Sequence, residues 1–339
     1  DRLRTAREVS LLAGMHASEE SLHGYLSIQQ ALSAIDRMEV RGRDSAGIGV
    51  VVWGHGLTED VVLGDDALRN AFVPRHEDTL FTSRSVRVEG DAWVFVYKAA
   101  AEIGELGDNT KTMRQHILQD ALLRRVVSAK NARVSVIGRT RWASVEIISE
   151  PNAHPVTGEE IDVDGQQVSV AVLNGDVDNH TELRERHNLR FADPITTDAK
   201  VIPAIVDRGR STGLDTQAAF LNAVTQFEGS VAIGYMTASD PNDMYLALYG
   251  SGQGLYIGLA EDRFIVASEP YGTVEETVNY VRLDGETPRK EGDPNSRGQV
   301  VRLRVDGAGT VEGITRIAYD GIEVPVTQGD VAVAEVTTR

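Results

Sequence analysis

Residues 231–268 read VAIGYMTASDPNDMYLALYGSGQGLYIGLAEDRFIVAS, and four short apolar runs stand within them: VAIGYM (231–236), YLALY (245–249), LYIGL (255–259) and FIVAS (264–268). Each run is β-branched or aromatic-rich and too short for a buried helix, so each reads as a strand. No helical stretch separates them. Parallel neighbours need a crossover of about a dozen residues or more, usually a helix, so these strands are expected to pair antiparallel. Working outward, VVRLRV (300–305), VSVAVL (168–173), VSVIG (134–138) and IGVVVW (48–53) add strands of the same kind. Val86 and Val88 face Trp93, Phe95 and Tyr97 across Gly90-Asp91 as a hairpin. Helical spacing appears over 27–40, with Ile28, Ala31, Leu32, Ile35 and Met38 on one face, and over 110–129, with Met113, Ile117, Leu118, Ala121, Leu122 and Val126. Two more helices are expected at 215–227 and 198–209, the latter with Pro203 in its first turn or at a kink. Strands without βαβ alternation and helices outside them make an α+β layer fold.

The chain has 339 residues, 41% hydrophobic and 25% charged, within the range of globular proteins. No apolar run reaches the ~18–20 residues that span a bilayer, and the opening DRLRTAREVSLLAG is a charged amphipathic segment rather than a signal peptide. A soluble protein is expected. With 34 Lys plus Arg against 51 Asp plus Glu, the formal charge is -17, which disfavours nucleic acid and anionic membrane as partners. There is no cysteine. Disulfides and thiolate metal sites are therefore excluded, and a reducing, cytoplasmic setting is expected. No cofactor and no metal is expected. Residues 55–92 read as a polar, poorly periodic insertion, and no Pro/Gly/Ser linker divides the chain, so residues 1–339 are expected to form a single domain.

Three clusters could carry chemistry. Gly138-Arg139-Thr140-Arg141-Trp142-Ala143-Ser144 ends a strand, where an arginine could clamp a carboxylate, although solvated arginines at a strand end are the plainer reading. Asn174-Gly175 follows VSVAVL; it is either a tight turn or an oxyanion hole built from the Asn amide and the Gly N–H. Asp198, after Thr196-Thr197, could cap the next helix or bind an ammonium group. Other features read as structural. Gly250-x-Gly252-x-Gly254 is expected to be a hairpin turn; His55, His76, His116 and His187 are expected at the surface; His16, Glu19, Glu20 and His23 make a weak metal motif.

Taken together with Met38-Glu39-Val40-Arg41-Gly42-Arg43-Asp44-Ser45-Ala46-Gly47, the words Thr140–Ser144, Asn152–Pro155, Asn174-Gly175 and Thr197–Lys200 stand in the order found in class II glutamine amidotransferases. The sequence resembles the glucosamine-6-phosphate synthase branch over roughly residues 25–310. That resemblance implies the N-terminal nucleophile hydrolase fold, a four-layer α/β/β/α sandwich of two antiparallel sheets. It implies an N-terminal cysteine that attacks the glutamine side-chain amide and releases ammonia and then glutamate. By position, Arg141 would hold the glutamine α-carboxylate and Asp198 its α-ammonium, with Asn174 and Gly175 as oxyanion hole. Trp142 matches a gating tryptophan, Ser144 the family's threonine, and His154 the histidine of the Asn-Ala-His-Pro word.

Departures accompany the match. Val145 and Glu146 replace a histidine and a glycine of the family word, and Arg139 stands where that word begins with histidine. Nothing before Arg41 resembles the family's opening cysteine strand, so the nucleophile is expected upstream of Asp1 and this chain alone is expected to be inactive. Sugar-isomerase domains are expected after residue 339, with fructose 6-phosphate as acceptor; a homodimer is left open. Two rivals stand: a catalytically dead glutamine-sensing or structural domain, and an amidotransferase serving another acceptor.

Overall fold

The computed structural model describes residues 2–15, 17–42, 44–100, 105–142, 147–158 and 167–335. In chain order its elements are α1 (Arg2–Ala13), α2 (Glu19–Met38), β1 (Ser45–Trp53), α3 (Glu59–Gly64), α4 (Asp66–His76), β2 (Val86–Glu89), β3 (Ala92–Ala100), α5 (Asp108–Leu118), α6 (Ala121–Val127), β4 (Arg133–Arg141) and β5 (Ser169–Gly175). There follow α7 (His180–Arg186), α8 (Val201–Ser211), α9 (Thr216–Val224), β6 (Val231–Thr237), β7 (Asp243–Tyr249), β8 (Tyr256–Leu259), β9 (Phe264–Ala267), β10 (Asn279–Arg282), β11 (Gln299–Arg304), β12 (Ile314–Ala318) and β13 (Val331–Val333). The α+β class and the antiparallel sheets are as the sequence predicts. The chain divides into two compact units, the first Asp1–Val172, Arg190–Lys200 and Thr237–Pro241, the second Leu173–Leu189, Val201–Met236 and Asn242–Arg339.

In the first unit the sheet order is β2-β3-β1-β4. Alternate residues of the central strands point the same way. Ala46, Ile48, Val50 and Val52 of β1 and Trp93, Phe95, Tyr97 and Ala99 of β3 form one core with Tyr25, Ile28 and Leu32 of α2 and with Met113, Ile117, Leu122 and Val126. Helix α2 starts earlier than its periodicity alone suggests. Ser18 caps it by accepting the Ser21 N–H at 3.2 Å, and Glu19 and Glu20 fill the first turn, where carboxylates suit the helix dipole.

The helix expected over 110–129 is two helices. Asp120 breaks it: its side chain caps α6 through the Leu123 N–H at 3.0 Å, accepts the Tyr97 hydroxyl at 2.7 Å, and takes both guanidinium nitrogens of Arg75 at 2.9 and 2.5 Å. That buried fork ties α4 to the main core. Residues 55–92 thus contain ordered elements, with Phe72 of α4 at 5.3 Å from the Trp93 ring. His55 is not a surface residue. It is buried, edge-on to Trp93 at 5.5 Å, and burial holds its pKa below the usual imidazole value. The hairpin has the expected register, Val86 opposite Phe95 and Val88 opposite Trp93.

In the second unit a sheet with the order β12-β11-β7-β6 and a four-stranded sheet, β13-β10-β8-β9, share a core of Leu246, Leu248 and Val301 with Ile257, Val281 and Leu283. Phe220 of α9 packs on Tyr235 and Tyr245, with ring centroids 5.5 and 5.8 Å away. Pro203 sits in the first turn of α8, where its missing N–H costs nothing. The expected hairpin at Gly250–Gly254 does not form. Strands β7 and β8 lie in different sheets, so this segment is a crossover between sheets. The apolar runs on either side are equally good strands for either sheet, which is why local pattern could not distinguish the two. Among the described residues, no helix is long and apolar enough to cross a membrane.

Candidate functional site

The face of the first sheet that looks away from its helical core carries the cations. Gly47 of β1 pairs with Lys98 on β3 and with Arg139 on β4, so Lys98, Gly47 and Arg139 form one row; Ser45 pairs with Arg141 two residues along. Residues paired across antiparallel strands share a face. Over this row runs the segment that contains His154. A Cβ on Gly47 would stand 2.1 Å from the His154 carbonyl oxygen, and one on Gly49 would stand 3.1 Å from Pro155 Cγ. Glycine at 47 is therefore dictated by a backbone crossing, not by its own φ. Gly47→Ala is expected to destabilise the protein by about 1–3 kcal/mol through overpacking, measured as a lower urea midpoint. An unchanged midpoint would mean that the 154–155 segment does not lie against β1.

His154 is buried, and its pKa is held well below the usual value by burial first and then by the charges of Arg139, Arg141 and Lys98. At neutral pH it is an uncharged imidazole, suited to hydrogen bonding and unsuited to pairing with a carboxylate. Lys98 is fully buried, and burial brings its pKa from 10.5 down to about 7 against the partial support of Glu150 and Asp78. Among the described residues its Nζ has no hydrogen-bond partner, and it lies 5.0 Å from the Phe81 ring centroid.

The Asn-Ala-His-Pro word also reaches the Asp198 loop. Asn152 Oδ1 accepts the N–H groups of Thr196 and Thr197 at 2.8 and 3.1 Å, and its Nδ2 donates to the Pro194 carbonyl at 2.9 Å. Asp198 opens a single 3-10 turn, Asp198–Lys200, that leads into α8. Arg141, His154 and Asp198 thus belong to one compact unit, although 57 residues separate the first from the last. Trp142 follows the end of β4 with its side chain largely exposed. Ser144 lies outside the described residues, as do Val145 and Glu146.

In the second unit Asn174-Gly175 is not a tight turn. Both residues close β5, and Gly175, at φ +103, packs so closely on Ser230 that a Cβ would lie 1.9 Å from its carbonyl oxygen. The next residue, Asp176, donates its N–H to that same oxygen at 3.1 Å. Here a positive φ and a close approach both require glycine. Asn174 Nδ2 donates to Gln253 Oε1 at 2.6 Å.

The chain is 31% identical over 211 residues to the glutamine–fructose-6-phosphate aminotransferase (isomerizing) of Geobacillus kaustophilus, covering 61% of this chain and 30% of the relative. It is 28% identical over 203 residues to the enzyme of the same name from Bacillus thuringiensis, covering 60% and 30%. The chain is a relative of the class II glutamine amidotransferases. It spans about 30% of the length of these curated relatives. No protein-family profile matches it. Among solved structures, glutamine phosphoribosylpyrophosphate amidotransferase from B. subtilis, complexed with ADP and GMP, aligns with 86% of this chain and 47% of its own, at 16% identity and a TM-score of 0.48.

Three residues of this chain that lie beside the candidate positions were missed by sequence reasoning. Asn152 was quoted only as the start of a word. Gln253 was hidden in a glycine-rich segment read as a turn. Lys98 did carry a signal, a single cation within the otherwise apolar run AWVFVYKAA.

Proposed function

We propose that this chain is the glutamine-hydrolysing domain of an amidotransferase that passes ammonia to a sugar phosphate, converting fructose 6-phosphate to glucosamine 6-phosphate. The observation that carries the reading is that Arg141 and Asp198, the residues assigned to the two charges of an α-amino acid, sit in one compact unit beside the Asn152–Pro155 word: Arg141 through its field at His154, Asp198 through its chain neighbour Thr197, whose N–H Asn152 holds. Arg141 would hold the α-carboxylate in a charge-assisted pair and Asp198 the α-ammonium. Asn174 and Gly175 would stabilise the oxyanion of the tetrahedral intermediate, and Trp142 and Ser144 would line the substrate. We take residues 1–339 as one functional domain and a sugar-isomerase domain as its partner. The relatives' names support the acceptor.

The 339 residues hold no cysteine, so the attacking thiol would come from outside this stretch, and the stretch alone should bind glutamine without hydrolysing it. A second reading, a glutamine-sensing domain without turnover, is favoured by the side chain of Gln253, whose amide oxygen already takes the Asn174 donor. Incubating the complete protein with amide-15N glutamine and fructose 6-phosphate separates the readings. Label in glucosamine 6-phosphate is expected. Label only in free ammonia would remove the sugar acceptor, and no glutamate release at all would favour the sensor.

A further inference from the structure

We propose that Asn152 is the positioning residue for Asp198: it fixes the backbone of residues 194–197 so that the carboxylate that follows is presented at one place relative to Arg141. This inference rests on the glutamine reading above. Asn152 is fully buried, and every hydrogen-bonding site of its amide is used. Oδ1 takes the consecutive N–H groups of Thr196 and Thr197; Nδ2 donates to the Pro194 carbonyl and to Ser149 Oγ at 3.0 Å. An amide is the side chain with two acceptor lone pairs at one end and two donors at the other, so asparagine fits this position where aspartate or leucine would not.

The loop needs such a clamp. Residues 194–197 lie in no helix or strand; among the described residues the buried Thr197 hydroxyl has no hydrogen-bond partner, and the Thr196 hydroxyl makes only a long contact, 3.4 Å, to Asn152 Oδ1 itself. Drawing two successive amides onto one oxygen fixes the orientation of the chain where it enters residue 198. The other end of the clamp is equally fixed, because Asn152 stands two residues before His154, whose carbonyl rests on Gly47 in the row beside Arg141. The carboxylate and the ammonium of an amino acid share one carbon, so their two partners must be placed within about half an ångström to be used together.

The test separates positioning from general stability by using two ligands. L-glutamine needs both partners, whereas glutaramate, which lacks the α-amino group, needs only Arg141. Calorimetric titration of Asn152→Ala is expected to show L-glutamine binding weakened ~10–100-fold, the scale of a misplaced contact, with glutaramate affinity changed less than about threefold. Asn152→Asp keeps the acceptor for both amides and loses the donors, so it should show the same selective loss to a smaller degree; it decides the matter if the alanine variant does not fold. Equal weakening of both ligands, or no weakening of glutamine, would overturn the proposal. Asp198→Asn is the control. If that variant also binds glutamine normally, the glutamine reading fails and this inference with it; if it loses glutamine while Asn152→Ala does not, only this inference fails.

Discussion

Replacing Lys98 with methionine is expected to stabilise the protein by about 3–5 kcal/mol at pH 7. The displacement of its pKa from 10.5 to about 7 corresponds to about 5 kcal/mol of unfavourable transfer for the ammonium form. Methionine matches the length of the side chain and has no charge to desolvate. The sign follows from proton linkage. In the unfolded chain Lys98 keeps its proton until pH 10.5, whereas in the folded chain it loses it near pH 7, so between those values the unfolded state binds more protons and stability rises with pH. The full penalty is present below pH 7 and fades towards pH 10.5. The methionine variant should therefore gain most at pH 6–7 and almost nothing at pH 10, read from urea unfolding at both values. A destabilised variant at pH 7 would mean that Glu150 and Asp78 support the ammonium more than burial opposes it.

Asp198→Asn is expected to weaken L-glutamine by about 2–5 kcal/mol. The amide preserves shape and removes charge, leaving the ligand's ammonium poorly compensated in a partly desolvated site. Asp198 is half-buried in the protein, and the asparagine variant should still fold. Loss of binding without loss of fold is the expected signature. A variant with normal glutamine affinity would withdraw the residue assignment and leave the kinship with the amidotransferases intact.

The fold class was legible because strand period and strand length are local properties: IGVVVW, AWVFVY and YLALY are apolar runs too short for a buried helix and rich in β-branched or aromatic residues. What was not legible was set by partners distant in sequence. The split of 110–129 follows from Asp120, whose capping role is joined by a guanidinium 45 residues earlier. The crossover at Gly250–Gly254 follows from which sheet each strand enters, a choice absent from the strands themselves. Among the candidate residues, the words that hold Arg141, His154, Asn174 and Asp198 point to chemistry only as a set in order, since each alone has an ordinary structural reading. Asn174-Gly175 looks like turn chemistry, but its glycine answers to the carbonyl of Ser230, 55 residues on. Asn152 was overlooked for a similar reason: nothing in a buried asparagine reveals which distant amides it will clamp.

The central claim, that the first unit holds an α-amino acid by its two charges, is tested most directly by titrating L-glutamine into the unsubstituted 339-residue chain and into Arg141→Ala. The account predicts saturable binding of one equivalent to the former and its loss in the latter, with glutamate release absent from both. No heat of binding to the unsubstituted chain, or equal binding to both, would contradict it.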